Sequence, residues 1–315
     1  MKTTTPTAAG PILALDLGKY KSVACAHDPA GAEPCFQTIP TGRADLLRLR
    51  DRHRPAVVVI EACAPAGWVH DRCGELGLVC KVANTASEAW KFKHARRKTD
   101  RDDALRLAQL EALGQLPTVT IPPKQTREWR ALIAYRQGVV GRRVAARNRI
   151  RSILRGQGLP APRGRRAWTA TGLQGIEAYA RPLAGCGADA LWRGLLHPAL
   201  AELRQARDLL DRAEARLDEL ARASEAVRTL QTVPGVGPRT AEAVAACLHD
   251  PHRFATGKQA SGSEPGWPPG SSRRANATAA AGSPGAARGR RASCWSSAPG
   301  RCCVTTPGRG RCTCG

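Results

Sequence analysis

Nowhere in the chain do 18 apolar residues run together, so no segment reads as a membrane span. The opening Met1-Lys2-Thr3-Thr4-Thr5 lacks the charged-then-apolar layout of a signal peptide, and the expectation is a cytoplasmic protein with no membrane partner. Seven cysteines lie within residues 1–259, yet none forms a C-x-x-C pair there. Scattered single thiols argue against a disulfide frame or a zinc site and for small buried hydrophobes in a reducing compartment. Acid is nearly missing from residues 121–170, where Glu128 stands alone against thirteen Lys and Arg. Residues 260–315 hold no Leu, Ile, Phe or Met and one valine, Val304, which excludes a packed core in that stretch.

The 315 residues, 42% of them hydrophobic, are enough for two domains and an ordinary core. The formal net charge of +23 points to a polyanionic partner, nucleic acid before membrane surface. The excess is local: +4 over residues 1–120, +12 over 121–170, zero over 171–259 and +7 over 260–315.

Three short apolar runs, ILALDL at 12–17, SVACAHD at 22–28 and CFQTI at 35–39, are bounded by Gly, Pro and Asp turn signals and read as a strand meander. A helix over Ala44–Arg52, a β-branched strand Val57–Ile60, a helix near Trp68–Leu76 and a strand Leu78–Ala83 follow. Helices are then expected after Thr85 and after Thr99. Three strands followed by alternating helices and strands is the element order of an α/β RNase H-like fold.

From Lys124 to Gly158 the pattern is helical and basic, with Arg127, Arg130, Arg136, Arg142, Arg143, Arg147, Arg149, Arg151 and Arg155. A one-signed helix forgoes i,i+4 ion pairing and repels itself unless a polyanion lies against it, so these arginines are the candidate nucleic-acid contacts. Leu200, Leu203, Leu210, Ala213, Leu217 and Leu220 form an apolar seam that fits a coiled coil or helical hairpin. It could pack within its own domain or form a dimer interface. Val233-Pro234-Gly235-Val236-Gly237-Pro238 is similar to the hairpin of helix-hairpin-helix modules, whose glycines let backbone N–H groups approach a phosphate; the alternative is a Gly-Pro turn between packed helices.

Asp16 and Glu61 each end a buried strand, where an uncompensated carboxylate is costly. In Lys98-Thr99-Asp100-Arg101-Asp102-Asp103, Asp100 and Asp103 are i and i+3 on one helical face, while Asp102 points elsewhere. Thr99 or Asp100 could equally serve as an N-cap, with acids favoured by the helix dipole. Taken together, four hard carboxylates from two strand ends and one helix suit Mg²⁺, and a pair of such ions suits in-line phosphodiester displacement.

ILALDLGKYKSVA, VVVIEACAPAGWVHDRCGELG and KTDRDDALRLA resemble, in order and spacing, the three blocks of the DEDD-family insertion-sequence transposases and the related Piv-type DNA invertases. The resemblance continues through RNRIRSILRGQGL and LQTVPGVGPRTAEAVAA, over about residues 12–259. It implies a RuvC-like amino-terminal domain, the catalytic and metal-binding tetrad Asp16, Glu61, Asp100 and Asp103, and two Mg²⁺ ions. DNA and a structured guide RNA are the implied partners, with a homo-oligomeric, nucleoid-associated assembly. The implied division is a RuvC-like domain over 1–115, a basic helical and coiled-coil region over 116–225, and the start of a transposase carboxy-terminal domain over 226–259. A Holliday-junction-resolving nuclease would share the fold and tetrad without the basic helix and Gly-Pro hairpin. An actin-like ATPase, which ALDLGKYKS could open, would need a second phosphate loop that is missing.

After Gln259 the family pattern stops. Ala, Gly, Ser and Pro make up 34 of residues 260–315, as GC-rich codons give when read out of frame, and the expectation is a disordered, frameshifted tail. Back-translated and shifted by two nucleotides, Glu264–Ser271 and Ser293–Cys303 can give leucine-bearing apolar segments. The family's serine nucleophile is therefore not assigned to Ser271 or Ser272, and Cys294, Cys302, Cys303, Cys312 and Cys314 need no metal. A chain so altered would be a defective transposase, or a non-enzymatic remnant that still binds nucleic acid.

Overall fold

The computed structural model describes residues 10–31, 33–85, 87, 99–254 and 256. The expected helix after Thr85 and the expected disordered tail over 260–315 lie outside the described residues. By contact density the chain divides into Met1–Trp267 and Pro268–Gly315, and all described residues belong to the first unit.

The apolar runs become strands β1 (Ile12–Leu17), β2 (Lys21–His27) and β3 (Cys35–Pro40), joined as an antiparallel meander. The turn between β1 and β2 explains the Asp-x-Gly motif. A Cβ on Gly18 would lie 2.2 Å from the Lys21 carbonyl oxygen, so only glycine fits. The Gly18 carbonyl then accepts from Thr41 Oγ1 at 2.9 Å, and Thr41 Oγ1 bonds Ser22 Oγ at 2.7 Å, tying the turn to the end of β3.

Helix α1 (Arg43–His53) leads to β4 (Val57–Glu61), which pairs parallel with β1, and α2 (Ala66–Glu75) leads to β5 (Val79–Ala83), parallel with β4. Helix α3 (Asp100–Ala112) is followed by a two-residue strand β6 (Thr118–Val119), antiparallel to β5 and not foreseen from the sequence. The six strands run β3-β2-β1-β4-β5-β6, an RNase H-like sheet.

Strand alternation sorts the core into two layers. Leu13, Leu15 and Leu17 of β1 and Val58 and Ile60 of β4 pack against Leu46, Leu49, Ala66, Val69 and Cys73 of α1 and α2. Ile12 and Ala14, with Val57 and Val59, meet Ala104, Leu107 and Ala108 of α3 on the other face. Continuing that period places Asp16 and Glu61 on the α3 face.

Beyond the sheet, α4 (Lys124–Gly156) and α6 (Leu191–Ala223), of 33 residues each, pack as a long antiparallel hairpin. Ile133 meets Leu217, Val139 meets Leu210, and Ile150 lies with Leu200. The apolar seam read along α6 is thus filled by this chain's own α4. A short helix α5 (Ala170–Glu177) and the three-ten turn Arg166–Trp168 cover the far end of the hairpin. At the near end sit α7 (Glu225–Gln231) and α8 (Pro238–Leu248). Arg127 of α4 pairs with Asp71 of α2 and donates to the Pro122 carbonyl at 2.7 Å, docking the hairpin on the sheet domain.

Candidate functional site

The carboxylates come first. Asp16 faces Val23 of β2, and the β1–β4 register ends at Leu15 opposite Ile60, so Asp16 and Glu61 occupy the next positions at the ends of two adjacent parallel strands. Both are half-buried. Cys63, two residues beyond Glu61, has its thiol pushed up to about 11, by burial first and then by the negative fields of Glu61 and Asp16. Sequence reasoning passed over Cys63, although its position two residues after Glu61 was visible.

Helix α3 brings the remaining acids. Thr99 is the N-cap: its hydroxyl accepts from the Asp102 N–H at 3.3 Å, and Asp102 Oδ2 accepts from the Thr99 N–H at 3.1 Å. Asp102 is thereby spent on the cap, as its direction on the helix implied. Asp103 is half-buried, one residue before the buried Ala104, while Asp100 is exposed. Among the described residues no three His, Cys, Asp or Glu side chains come close enough to hold one metal ion together. Hard oxygen donors on one sheet face suit Mg²⁺ in type, with Asp16 and Glu61 at adjacent strand ends and Asp100 and Asp103 on the helix packed over that face.

The arginines of α4 divide into two groups. Arg127 is paired with Asp71, Arg136 with Glu214 at 2.6 Å and Arg149 with Glu202 at 2.6 Å. Arg130 donates to the carbonyls of Ala246 and Cys247 at 2.7 and 2.6 Å. Partners come from neighbouring elements instead of from i,i+4 acids, which is why α4 tolerates its one-signed composition. Arg142 rests over the Tyr135 ring at 5.8 Å and is exposed, as is Arg155. Arg147 and Arg151 converge on the Trp168 ring, and Arg143 lies one turn before Arg147 on the same face of α4.

In the Gly-Pro turn, Gly235 adopts φ +85°, a left-handed conformation that favours glycine, and Gly237 caps α8 with Pro238 at its first position. Neither glycine has a side-chain neighbour within 4 Å of a notional Cβ, so the turn is open. Beside it Arg239 bridges Asp218 and Glu242, the latter buried, with a carboxyl raised by burial and partly lowered again by Arg239.

An RNase H-like sheet with carboxylates ending its two central strands, docked to an arginine-bearing helical hairpin, defines a class of multi-part α/β protein. Comparison with known proteins narrows it. A model of DEDD-type IS110 transposases matches residues 13–157, and a model of the transposase IS116/IS110/IS902 family matches residues 227–262. The chain belongs to the IS110 family of transposases. It is 26% identical over 253 residues to the transposase for insertion sequence element IS1111A of Coxiella burnetii, covering 79% of this chain and 66% of that protein. It is 29% identical over 216 residues to the "Probable family 20 transposase" of Pseudomonas aeruginosa, covering 65% and 59%. The chain thus spans about three fifths to two thirds of these relatives' length. Among solved structures, T. thermophilus RuvC in complex with Holliday junction substrate is similar at 14% identity and a TM-score of 0.27, over 35% of this chain and 99% of that one. At that score the overlay carries no weight here. No helix among the described residues is long and apolar enough to cross a membrane.

Proposed function

We propose that this chain is the metal-dependent DNA-recombining protein of an insertion sequence, with Asp16, Glu61, Asp100 and Asp103 as its catalytic carboxylates. The observation that carries the proposal is the adjacency of Asp16 and Glu61 at the ends of β1 and β4, on the α3 face of the sheet. When bound there, a pair of Mg²⁺ ions supplies activation of the attacking oxygen and neutralisation of the leaving one. Asp16 and Glu61 present oxygen donors from rigid strand ends, and α3 carries Asp100 and Asp103 on the helix that covers the same face. The open Gly235–Gly237 turn and the arginines of α4 position nucleic-acid phosphates without reading sequence. A structured guide RNA and a second copy of the chain complete this family-based reading.

The proposed division is 1–115, 116–225 and 226–259, followed by an out-of-frame segment over 260–315 that deprives the chain of its second catalytic half. A recombination assay between a plasmid bearing the element's ends and a target plasmid tests both parts. The 315-residue chain is expected to give no product, and a chain restored to frame after codon 259 is expected to give product that Asp16→Asn abolishes. Full activity of the unrestored chain would overturn the defect; activity surviving Asp16→Asn would overturn the site.

A further inference from the structure

Besides the exposed Arg142 and Arg155, three of the arginines left over after ion pairing on α4 lie together. Arg143, Arg147 and Arg151 are spaced i, i+4 and i+8, so they share one face. The guanidinium carbons of Arg147 and Arg151 lie 5.1 and 5.0 Å from the centroid of the Trp168 ring. From α6, Arg207 reaches the same place and donates to the Trp168 carbonyl. Arg151 is braced by the Pro162 carbonyl at 3.2 Å and by Asn148 Oδ1 at 3.0 Å. The loop before the turn adds Arg163 and Arg165, and the turn itself Arg166, all exposed.

This gathering of like charge has no counter-charge among the described residues. The Nε atoms of Arg143 and Arg147 are buried and without a hydrogen-bond partner there. Burial, then Arg143, Arg207 and Arg151, hold the Arg147 guanidinium below its ordinary range, and no carboxylate offsets them. The same α4 elsewhere recruits Asp71, Glu214 and Glu202 for its arginines, so an uncompensated cluster is an exception within its own helix.

We propose that Arg147, Arg151 and Arg207, gathered around Trp168 where α4, α6 and the Arg166–Trp168 turn meet, form with Arg143, one helical turn before Arg147 on the same face, a cradle for the phosphodiester backbone of a nucleic acid. It rests on the nucleic-acid reading above and deepens it by singling out which arginines of α4 share one phosphate-binding place and by adding Arg207, a residue that α4 alone does not supply. Arg143 and Arg151 stand about 12 Å apart along the helix axis, too far for one small anion, whereas a nucleic-acid strand presents a phosphate about every 3.4 Å of its axis. Trp168 is 5% exposed, so it supports the arginines and offers no face for base stacking. The cradle is therefore indifferent to sequence.

The test is fluorescence anisotropy of the full chain, without divalent metal, on duplex DNA and on duplex RNA of equal length across a salt series. Arg143→Gln/Arg147→Gln/Arg207→Gln is compared with wild type and with Arg212→Gln/Arg216→Gln, whose arginines on α6 are already paired with Asp208 and Glu219. The triple variant is expected to bind at least about 10-fold more weakly, with a log–log salt slope on DNA reduced by roughly 2 to 3, near 0.9 per lost phosphate contact. Loss on DNA alone, on RNA alone or on both supports the cradle and identifies whose phosphates it takes. Unchanged affinity and slope on both, or an equal loss in the control, overturns it. Because Arg207 also holds the Trp168 carbonyl, Arg143→Gln/Arg147→Gln serves as the second variant. It removes no hydrogen bond among the described residues, and is expected to melt no earlier than wild type while losing affinity. If wild type itself binds neither duplex, the nucleic-acid reading fails; if wild type binds and both variants bind equally well, the cradle alone fails.

Discussion

Arg130 and Arg142 sit twelve residues apart on one basic helix, the first bonded to the end of α8 and the second exposed over Tyr135. Arg130 leaves α4 to close the last turn of α8, where carbonyls have no partner within their own helix and a cation is favoured by the dipole. Its removal also loosens the segment around His249, which sits at φ +52° and is held by Thr126 Oγ1 at 3.0 Å from Nδ1. A hydrogen bond from a charged donor contributes about 1.5–3 kcal/mol net, and two from one guanidinium, discounted for the solvent that the half-exposed Arg130 side chain still meets, put Arg130→Ala at about 2–4 kcal/mol. For a chain of this size that is a Tm fall of roughly 4–16 °C. Arg142→Ala removes an exposed side chain over Tyr135 and is expected to leave Tm nearly unchanged. The assay is thermal melting beside a salt series of DNA binding. Arg130→Ala should lower Tm and leave the salt slope alone, and Arg142→Ala should do the reverse, by about 0.9 in slope for one phosphate contact. Arg130→Ala melting with wild type, or Arg142→Ala melting below Arg130→Ala, would refute the division of α4 into structural and free arginines.

Two further outcomes follow from the packing and the buried charge. Leu203→Ala, at a fully buried position of the α4–α6 seam, should cost about 3–5 kcal/mol by leaving a cavity between rigid helices, measured by denaturant unfolding. Glu242 has its folded pKa raised, so its contribution is fully present below the unfolded pKa and lost as pH rises through the folded one. Glu242→Gln should therefore flatten the acid side of the stability–pH curve and leave neutral-pH stability no lower, with Arg239 still held by Asp218.

Much of the fold was legible because local pattern and final environment agree. The ILALDL and VVVIE runs alternate or bury as strands must, and Thr99 announced the start of α3. Strand β6 was not legible: two residues carry no periodicity, and they pair because the chain leaving α3 passes the free edge of β5. The tetrad residues could be named from spacing, but how closely α3 approaches the strand ends is a matter of tertiary packing. The arginines taught the opposite lesson. A one-signed helix signalled a polyanion, yet Asp71, Glu202 and Glu214, distant in sequence, neutralise part of it. Arg207 was hidden in a segment of zero net charge, where nothing local sets it apart from Arg204 or Arg212.

The most direct test of the central claim is a Mn²⁺ titration of the full chain, followed by electron paramagnetic resonance, against Asp16→Asn/Glu61→Gln. Saturable binding in the wild type that the double variant loses, with the fold intact by circular dichroism, is the expected result. Binding equal in both proteins, or no saturable binding in either, would contradict a metal-dependent carboxylate site at the ends of β1 and β4.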